Sequence, residues 1–201
     1  VRGDLQFSVR ALEAAGDGLW RKALEQARLR LERDGLLDPA RKRALPAFPR
    51  RIAVITSPDG AALHDIITVT RGRSRDVELV VIPAKVQGEG APESLLDALD
   101  RVARWGDADL VIMGRGGGSR EDLWAFNDER VARALALCPL PTVSAVGHET
   151  DISLCDLVAD VRAATPSAAA ELAVPSRRET LARVDALAKR LVSAAQRRED
   201  R

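Results

Sequence analysis

Residues 51–60 have the sequence RIAVITSPDG, in which an apolar, β-branched run passes directly into a polar turn. Three later stretches repeat the apolar run: residues 79–82 (LVVI), 110–113 (LVIM) and 142–146 (TVSAV). A strand without apolar–polar alternation is buried on both faces, which is typical of a parallel sheet covered by helices. The four stretches therefore predict four strands of one parallel sheet.

Segments with a helical period separate the predicted strands. They cover about residues 61–72, 93–105, 122–137 and 151–161, and Thr165-Pro166 has the N-cap and N1 residues of one more helix. Strands that alternate with helices define a doubly wound fold. We therefore predict an α/β fold with a mostly parallel sheet and helices on both faces.

The two ends of the chain depart from this alternation. Residues 5–11 alternate apolar and polar, which predicts a half-buried strand, and a helical pattern follows up to Gly35. Near the C-terminus, the apolar residues of 181–195 recur at spacings of three and four, which predicts a helical, coiled-coil-like arm. The chain thus divides into an N-terminal segment, an α/β domain and a helical arm, at residues 1–35, 36–175 and 176–201.

The net charge of +1 conceals an uneven distribution. Residues 1–50 carry 11 basic and 7 acidic side chains, residues 51–175 carry 12 and 19, and residues 176–201 carry 8 and 4. Such differences can be solvated surface alone. They can also reflect basic ends that hold a polyanion while carboxylates in the middle take part in chemistry.

Composition also indicates the cellular compartment of the protein. No stretch approaches the roughly 18 uninterrupted apolar residues of a membrane span. Cys138 and Cys155 lie in apolar segments without the spacing of metal ligands. We expect both to be reduced core residues of a cytoplasmic protein.

Ligands of an open parallel sheet bind beyond the carboxyl ends of its strands. Three of the predicted loops there are rich in glycine and polar residues: 56–60 (TSPDG), 114–119 (GRGGGS) and 147–151 (GHETD). We therefore expect the functional site to lie among these loops.

The loop 114–119 predicts a phosphate site. Backbone N–H groups of a glycine-rich turn can approach an anion, and Arg115 adds a planar cationic fork, which favours this function over a purely structural turn. The loop matches neither the dinucleotide fingerprint nor the P-loop, because Ser119 stands in the last position and no Gly-Lys-Ser/Thr is present. The predicted phosphate or DNA contacts are Ser57, Gly114, Gly116, Gly117, Gly118 and Ser119.

Three titratable residues near the same loops are candidates for catalysis. His148 directly follows a strand, and an imidazole with a pKa near about 6.5 suits proton transfer. Asp151 can reach back to His148, or it can simply cap a helix. Asp65 can meet His148 if its helix points into the site. For His64 and Glu149 we favour surface or structural roles.

The sequence bears differently on other kinds of site. A serine hydrolase is unsupported, because G-x-S-x-G is absent and Ser144 lies in a predicted buried strand; a zinc site lacks its Cys/His cluster. A non-catalytic module that binds a nucleotide or phosphate stays open. A two-metal nuclease also stays open, because five carboxylates could supply oxygen ligands: Asp65, Glu121, Asp122, Glu149 and Asp151.

Four motifs, in this order, resemble the large subunit of bacterial exonuclease VII. They are residues 48–57 (FPRRIAVITS), 114–129 (GRGGGSREDLWAFNDE), 144–151 (SAVGHETD) and 165–171 (TPSAAAE). The resemblance covers nearly the whole chain, with residues 1–35 similar to the exit from an OB-fold and residues 176–201 to the start of a long coiled coil. Arg120 departs from the family, in which we expect leucine in many members.

The resemblance implies an exodeoxyribonuclease that hydrolyses single-stranded DNA from both ends to oligonucleotides. It implies a hetero-oligomer with several copies of a small subunit, and no required cofactor, although a divalent metal such as Mg²⁺ stays open. The family's functional positions fall on Asp65, Arg115, His148 and Asp151. Which of these is acid and which is base stays open.

Overall fold

The structure is a computed structural model that describes residues 15–117, 121–147 and 152–199. The strand predicted at residues 5–11 lies outside this part. The strands are β1 (Arg51–Thr56), β2 (Glu78–Pro83), β3 (Leu110–Gly114), β4 (Thr142–Ala145) and β5 (Val161–Arg162). The helices are α1 (Ala15–Arg33), α2 (Ala61–Arg73), α3 (Ala91–Trp105), α4 (Glu129–Ala136), α5 (Leu154–Val158), α6 (Pro166–Ala173) and α7 (Arg177–Glu199), with 3₁₀ helices at Pro39–Arg41 and Glu121–Asn127.

The five strands form one parallel sheet in the order β2-β1-β3-β4-β5. The predicted α/β fold is therefore confirmed. The order reverses between β1 and β3, because the chain leaves β1 towards β2 on one side and later returns to place β3 on the other. Open sheets with this order bind ligands at that switch point.

Helices cover both faces of the sheet, as its apolar strands require. Ile52 and Val54 pack with α2 and α6 on one face, whereas Ala53 and Ile55 pack with α3, α4 and α5 on the other. Helix α1 joins the second layer through the buried Leu31. Burial on both faces explains why these strands carry no alternation.

Two predicted helices differ from the observed ones. The helix predicted over 122–137 is divided into a 3₁₀ helix and α4, because Asp128 has extended backbone angles and its side chain accepts a hydrogen bond from the N–H of Arg130. The helix predicted over 151–161 is observed as the short α5, and β5 follows it. A strand of two residues, Val161 and Arg162, carries no periodic signal in the sequence.

The predicted helical arm is present as α7. Its large apolar side chains have no partner among the described residues that covers them, since each is more than half exposed. They are Leu181, Val184, Leu187 and Leu191. The pairing of this arm in a coiled coil stays a prediction.

Both cysteines are free and buried, as expected from their apolar surroundings. Burial raises the pKa of the Cys138 thiol and, more strongly, that of Cys155. In the described residues, no helix is both long enough and apolar enough to cross a membrane.

Candidate active site

The carboxyl ends of β1 and β3 lie where the strand order of the sheet reverses. After β1 the chain turns to the face that carries α2, and after β3 it turns to the opposite face through the 3₁₀ helix Glu121–Asn127. Open parallel sheets bind ligands where neighbouring strands send their loops to opposite faces in this way. This is where two of the three predicted site loops lie.

The close packing of β3 against β4 leaves no room for a side chain at Gly114. It is paired with Ala145 at the ends of β3 and β4, and a Cβ atom built on it would lie 2.9 Å from the carbonyl oxygen of Ala145. The N–H of Arg115 donates to the same oxygen at 3.3 Å. The glycine therefore allows the close approach that fixes the start of the loop.

The glycine loop lies against the N-terminus of α2. A Cβ atom built on Gly116 would be 3.6 Å from the backbone nitrogen of Ala62 and 3.7 Å from the Cβ atom of Ala61. Gly60 is the N-cap of α2, so no side chain caps this end of the helix. The N–H groups of a first helical turn attract anions, and here they meet a second glycine-rich turn.

Arg115 is only 3% exposed. From the sequence we expected a cationic fork for phosphate, and the structure places this guanidinium almost wholly out of water at the end of β3. Electrostatic attraction is stronger in a medium of low dielectric constant. An anion that reached this guanidinium would therefore be held more firmly than at an exposed arginine.

Asp65 lies on the same side of α2 as Ala61, since the two are four residues apart. Its side chain is half-buried. Side chains on a helix lean towards its N-terminus, so the carboxylate of Asp65 leans towards the turn that contacts Gly116. The structure thus brings the glycine loop and the helix of Asp65 together.

The other predicted site residues are distributed as follows. Ser57 is half-buried in the β1 loop, where its carbonyl accepts a hydrogen bond from the N–H of Gly60. Gly117 is exposed and is the last described residue of the glycine loop. The remaining ones lie outside the described residues: Gly118, Ser119, His148 and Asp151.

Asp156 is a buried carboxylate that the sequence analysis missed. It accepts hydrogen bonds from the hydroxyl of Ser144 at 2.6 Å and from the backbone N–H and hydroxyl of Ser153 at 2.9 and 2.8 Å. The N–H of Leu154 donates to the side chain of Asn127 at 2.9 Å. The chain is therefore anchored where it leaves the segment 148–151. The pattern Ser153-x-x-Asp156, a capping box, was the available signal.

Two further residues, one at the start of a predicted site loop and the other a few residues after one, were missed. The hydroxyl of Thr56, at the end of β1, is buried and has no hydrogen-bond partner within the described residues. Trp124, in the 3₁₀ helix after the glycine loop, is 53% exposed, and its ring centroid is 5.5 Å from that of Trp20. An exposed indole is a surface on which a nucleobase can stack.

The two-metal hypothesis is not tested by this structure. Among the described residues, no group of three or more His, Cys, Asp or Glu side chains could hold a metal ion. Of the five carboxylates that the hypothesis uses, however, Asp65 alone has a described side chain.

Comparison with known proteins shows to which family the chain belongs. The family profile described as "Exonuclease VII, large subunit" matches residues 36–201. The exodeoxyribonuclease 7 large subunit of Thioalkalivibrio sulfidiphilus is 52% identical over 196 residues, which is 98% of this chain and 44% of that protein. The one of Moorella thermoacetica is 54% identical over 188 residues, or 94% of this chain and 47% of that protein.

A solved structure, Trypanosoma brucei type B ribose 5-phosphate isomerase, aligns with a TM-score of 0.33 at 19% identity, covering 66% of this chain and 93% of that one. That score is too low to bear on fold or function.

The chain spans about half the length of the curated relatives named above. Because the profile covers residues 36–201, including the glycine loop and the helix of Asp65, the chain belongs to the exonuclease VII large-subunit family.

Proposed function

We propose that this chain is the hydrolytic part of an exodeoxyribonuclease. Its substrate is single-stranded DNA, which it degrades from both ends to oligonucleotides, as one subunit of a cytoplasmic hetero-oligomer with several copies of a small subunit. One observation carries the proposal: in a member of the exonuclease VII family, the glycine loop at Gly116 meets the uncapped N-terminus of α2, the helix of Asp65.

The scissile phosphate binds at this contact. The N–H groups of the glycine loop and of the first turn of α2 face an anion there, and Arg115 supplies the positive charge. In phosphodiester hydrolysis, negative charge accumulates on the non-bridging oxygens as water attacks phosphorus. Fixed N–H groups and a guanidinium stabilise that charge without having to reorganise. The full set of phosphate contacts is Ser57, Gly114, Gly116, Gly117, Gly118 and Ser119.

Proton transfer falls to His148. The attacking water loses a proton, the P–O bond to the leaving nucleotide breaks, and the leaving oxygen gains a proton. An imidazole can perform either transfer near neutral pH. Asp65 and Asp151 orient the imidazole or activate the water. This chemistry needs no cofactor and no divalent metal.

Base stacking supports the choice of a single strand. Trp124 exposes about half of its surface close to the segment that follows the glycine loop. A base can stack on such a ring when it is not enclosed in a duplex, and stacking of this kind is tolerant of sequence. A nuclease without sequence preference needs this tolerance.

The test is digestion of end-labelled single-stranded and duplex DNA in excess chelator. The full-length protein is co-expressed with its small subunit and is compared with the variants His148→Ala and Asp65→Asn. Asp97→Asn is the matched control, because Asp97 is an exposed carboxylate on α3 that pairs only with Arg101 among the described residues.

We expect cleavage of the single strand that survives chelation, persists in Asp97→Asn and is lost in His148→Ala and Asp65→Asn. Cleavage that requires added metal would overturn the metal-free mechanism and favour the carboxylate–metal site. Saturable binding of nucleotides without any hydrolysis would overturn the enzyme and favour the non-catalytic binding module.

A further inference from the structure

A basic cleft lies between the C-terminus of α2 and the N-terminus of α7. It has a volume of about 540 Å³. Since α2 runs from the carboxyl edge of the sheet to its amino edge, the cleft is at the opposite edge from the candidate active site. Its lining contains one carboxylate, Asp185, and five arginines: Arg71, Arg73, Arg75, Arg177 and Arg178.

Most of this positive charge is not neutralised. Arg73 donates to the carbonyl oxygen of Val174 at 2.6 Å, and Arg177 lies 3.7 Å from the carboxylate of Asp76. The other three arginines, 71, 75 and 178, make no hydrogen bond or ion pair with any side chain in the described ranges. On α3, by contrast, Arg101 and Arg104 each pair with a carboxylate one turn away.

Helix electrostatics explain only part of the cluster. A cation in the last turn of a helix is stabilised by the helix dipole, which accounts for Arg71 and Arg73. The same dipole disfavours cations in a first turn, where Arg177 and Arg178 open α7. Helix electrostatics therefore give no reason for the two arginines that open α7. The cleft stands out further because residues 51–175 carry 12 basic against 19 acidic side chains.

Gly72, in the wall of the cleft, is not required by the fold. A Cβ atom built on it would meet nothing within 4 Å, and its φ angle is not positive. A glycine inside a helix costs stability relative to alanine. Close approach of a ligand to the backbone is a reason to keep the side chain absent here.

One exposed side of α2 runs from the cleft to the candidate active site. Ala61, at the glycine loop, and Arg71, in the cleft, are ten residues apart, or about 15 Å along a helix. The exposed residues on this stretch are small, polar or basic, and its one acidic residue is the half-buried Asp65 of the candidate active site. In order along the helix they are Ala61, His64, Thr68 and Arg71.

We infer that the basic cleft binds the sugar-phosphate backbone of single-stranded DNA whose end lies in the candidate active site. The identity of the ligand rests on the proposed function. At roughly 3.4 Å per phosphate in a stacked strand, about five nucleotides reach from one site to the other. The cleft therefore adds affinity for long strands and none for the shortest ones.

The test measures binding and cleavage separately. Binding of labelled oligo(dT) is followed by anisotropy across a salt series, using the full-length protein with His148→Ala so that the strand stays intact. Arg71→Ala/Arg178→Ala is compared with Arg101→Ala/Arg104→Ala, which removes the same charge from α3. Arg71→Lys/Arg178→Lys keeps the charge, and thermal unfolding confirms that each variant is folded.

We expect the cleft double variant to bind long oligo(dT) several-fold more weakly. Loss of two phosphate contacts lowers the slope of log K against log salt by about 1.4. The lysine variant and the α3 variant keep the slope. In the cleavage-competent complex, kcat/KM falls for a long strand and is unchanged for a trinucleotide.

An unchanged salt slope in the folded cleft variant overturns the inference, whether or not the complex cleaves DNA. Loss of the co-purified small subunit, with DNA binding intact, overturns it too, because the cleft would then dock an acidic protein. If the complex fails to cleave DNA, the proposed function fails, while the anisotropy measurement still decides whether the cleft holds the strand.

Discussion

The hydroxyl of Ser144 donates a 2.6 Å hydrogen bond to the carboxylate of Asp156, and both residues are buried. Ser144 is in β4, four residues before the segment 148–151, and Asp156 is in α5, five residues after it. The same carboxylate also accepts two hydrogen bonds from Ser153. One carboxylate thus links the strand that precedes residues 148–151 to the helix that follows them.

Replacing Asp156 tests that role. We expect Asp156→Asn to lower the free energy of unfolding by about 2–3 kcal/mol, because an amide cannot accept all three of these hydrogen bonds and leaves buried donors unsatisfied. Chemical denaturation measures the loss. Asp100→Asn serves as control, since Asp100 forms an exposed ion pair on α3 and should change stability by less than about 1 kcal/mol. Equal effects of the two substitutions would contradict the anchoring role.

Much of the fold could be predicted because burial on both faces leaves a simple signal. No exposed polar residue interrupts the apolar runs within β1, β2, β3 and β4, so their apolar character marks each strand directly. β5 has two residues, too few for any period. The interruption at Asp128 depends on its side chain accepting from Arg130, and an aspartate in a helical pattern is equally compatible with an uninterrupted surface helix.

Gly114 and Gly116 both belong to the glycine loop, but we expect their replacement by alanine to affect stability differently. Gly114→Ala places a methyl group 2.9 Å from the carbonyl oxygen of Ala145, so we expect a loss of about 1–3 kcal/mol of unfolding free energy from overpacking. Gly116→Ala makes only ordinary contacts, at 3.6 Å or more, and should leave stability within about 0.5 kcal/mol.

Activity should separate the same two variants. The methyl group of Gly116→Ala stands where the loop meets the N–H groups of α2, so DNA cleavage by the full complex should fall although the protein is stably folded. Thermal unfolding and cleavage of labelled single strands are measured on the same preparations. A fully active Gly116→Ala variant would place the phosphate elsewhere.

The candidate site was less predictable than the fold. The glycine-rich loop made Arg115 a candidate and the helix after β1 made Asp65 one, and the topology places both beside the β1–β3 switch point. The burial of Arg115 depends on how the ends of β3 and β4 pack, which the local sequence does not encode. Thr56 gave no signal either, because a threonine at the end of a strand is common and its buried hydroxyl is visible only in three dimensions.

Gly35 and Gly72 form a second matched pair, both in or beside helices. Gly35 ends α1 with a φ angle of 73°, and the N–H of Leu36 bonds back to the carbonyl of Leu31. We expect Gly35→Ala to cost about 1–2 kcal/mol, because an L-residue is strained in this conformation. Gly72→Ala should instead raise stability by about 0.5–1 kcal/mol. If the melting temperatures of the two variants moved in the same direction, the fold would not require glycine at Gly35 alone of the two positions.

The carboxylate of Asp160 joins the linker before β1 to the start of β4 by hydrogen bonds. We expect these hydrogen bonds to make the stability of the fold sensitive to acid. Arg43 donates to its carboxylate from the backbone and the guanidinium at 2.8–3.1 Å, and Thr142 donates from its N–H at 2.7 Å. Burial raises the pKa of the Asp160 carboxyl, but these hydrogen bonds outweigh burial and hold the pKa below its ordinary value.

A carboxyl group whose pKa is lower in the folded state stabilises the fold fully above its unfolded pKa, near about 3.9, and loses that contribution as the pH falls through the folded value. Asp160→Asn should therefore reduce the free energy of unfolding by about 1–3 kcal/mol at neutral pH, and the difference from the parent chain should shrink below about pH 4. Denaturant titrations at several pH values measure this. A difference that stays constant from neutral pH to pH 2 would show that the hydrogen bonds of Asp160 do not depend on its charge.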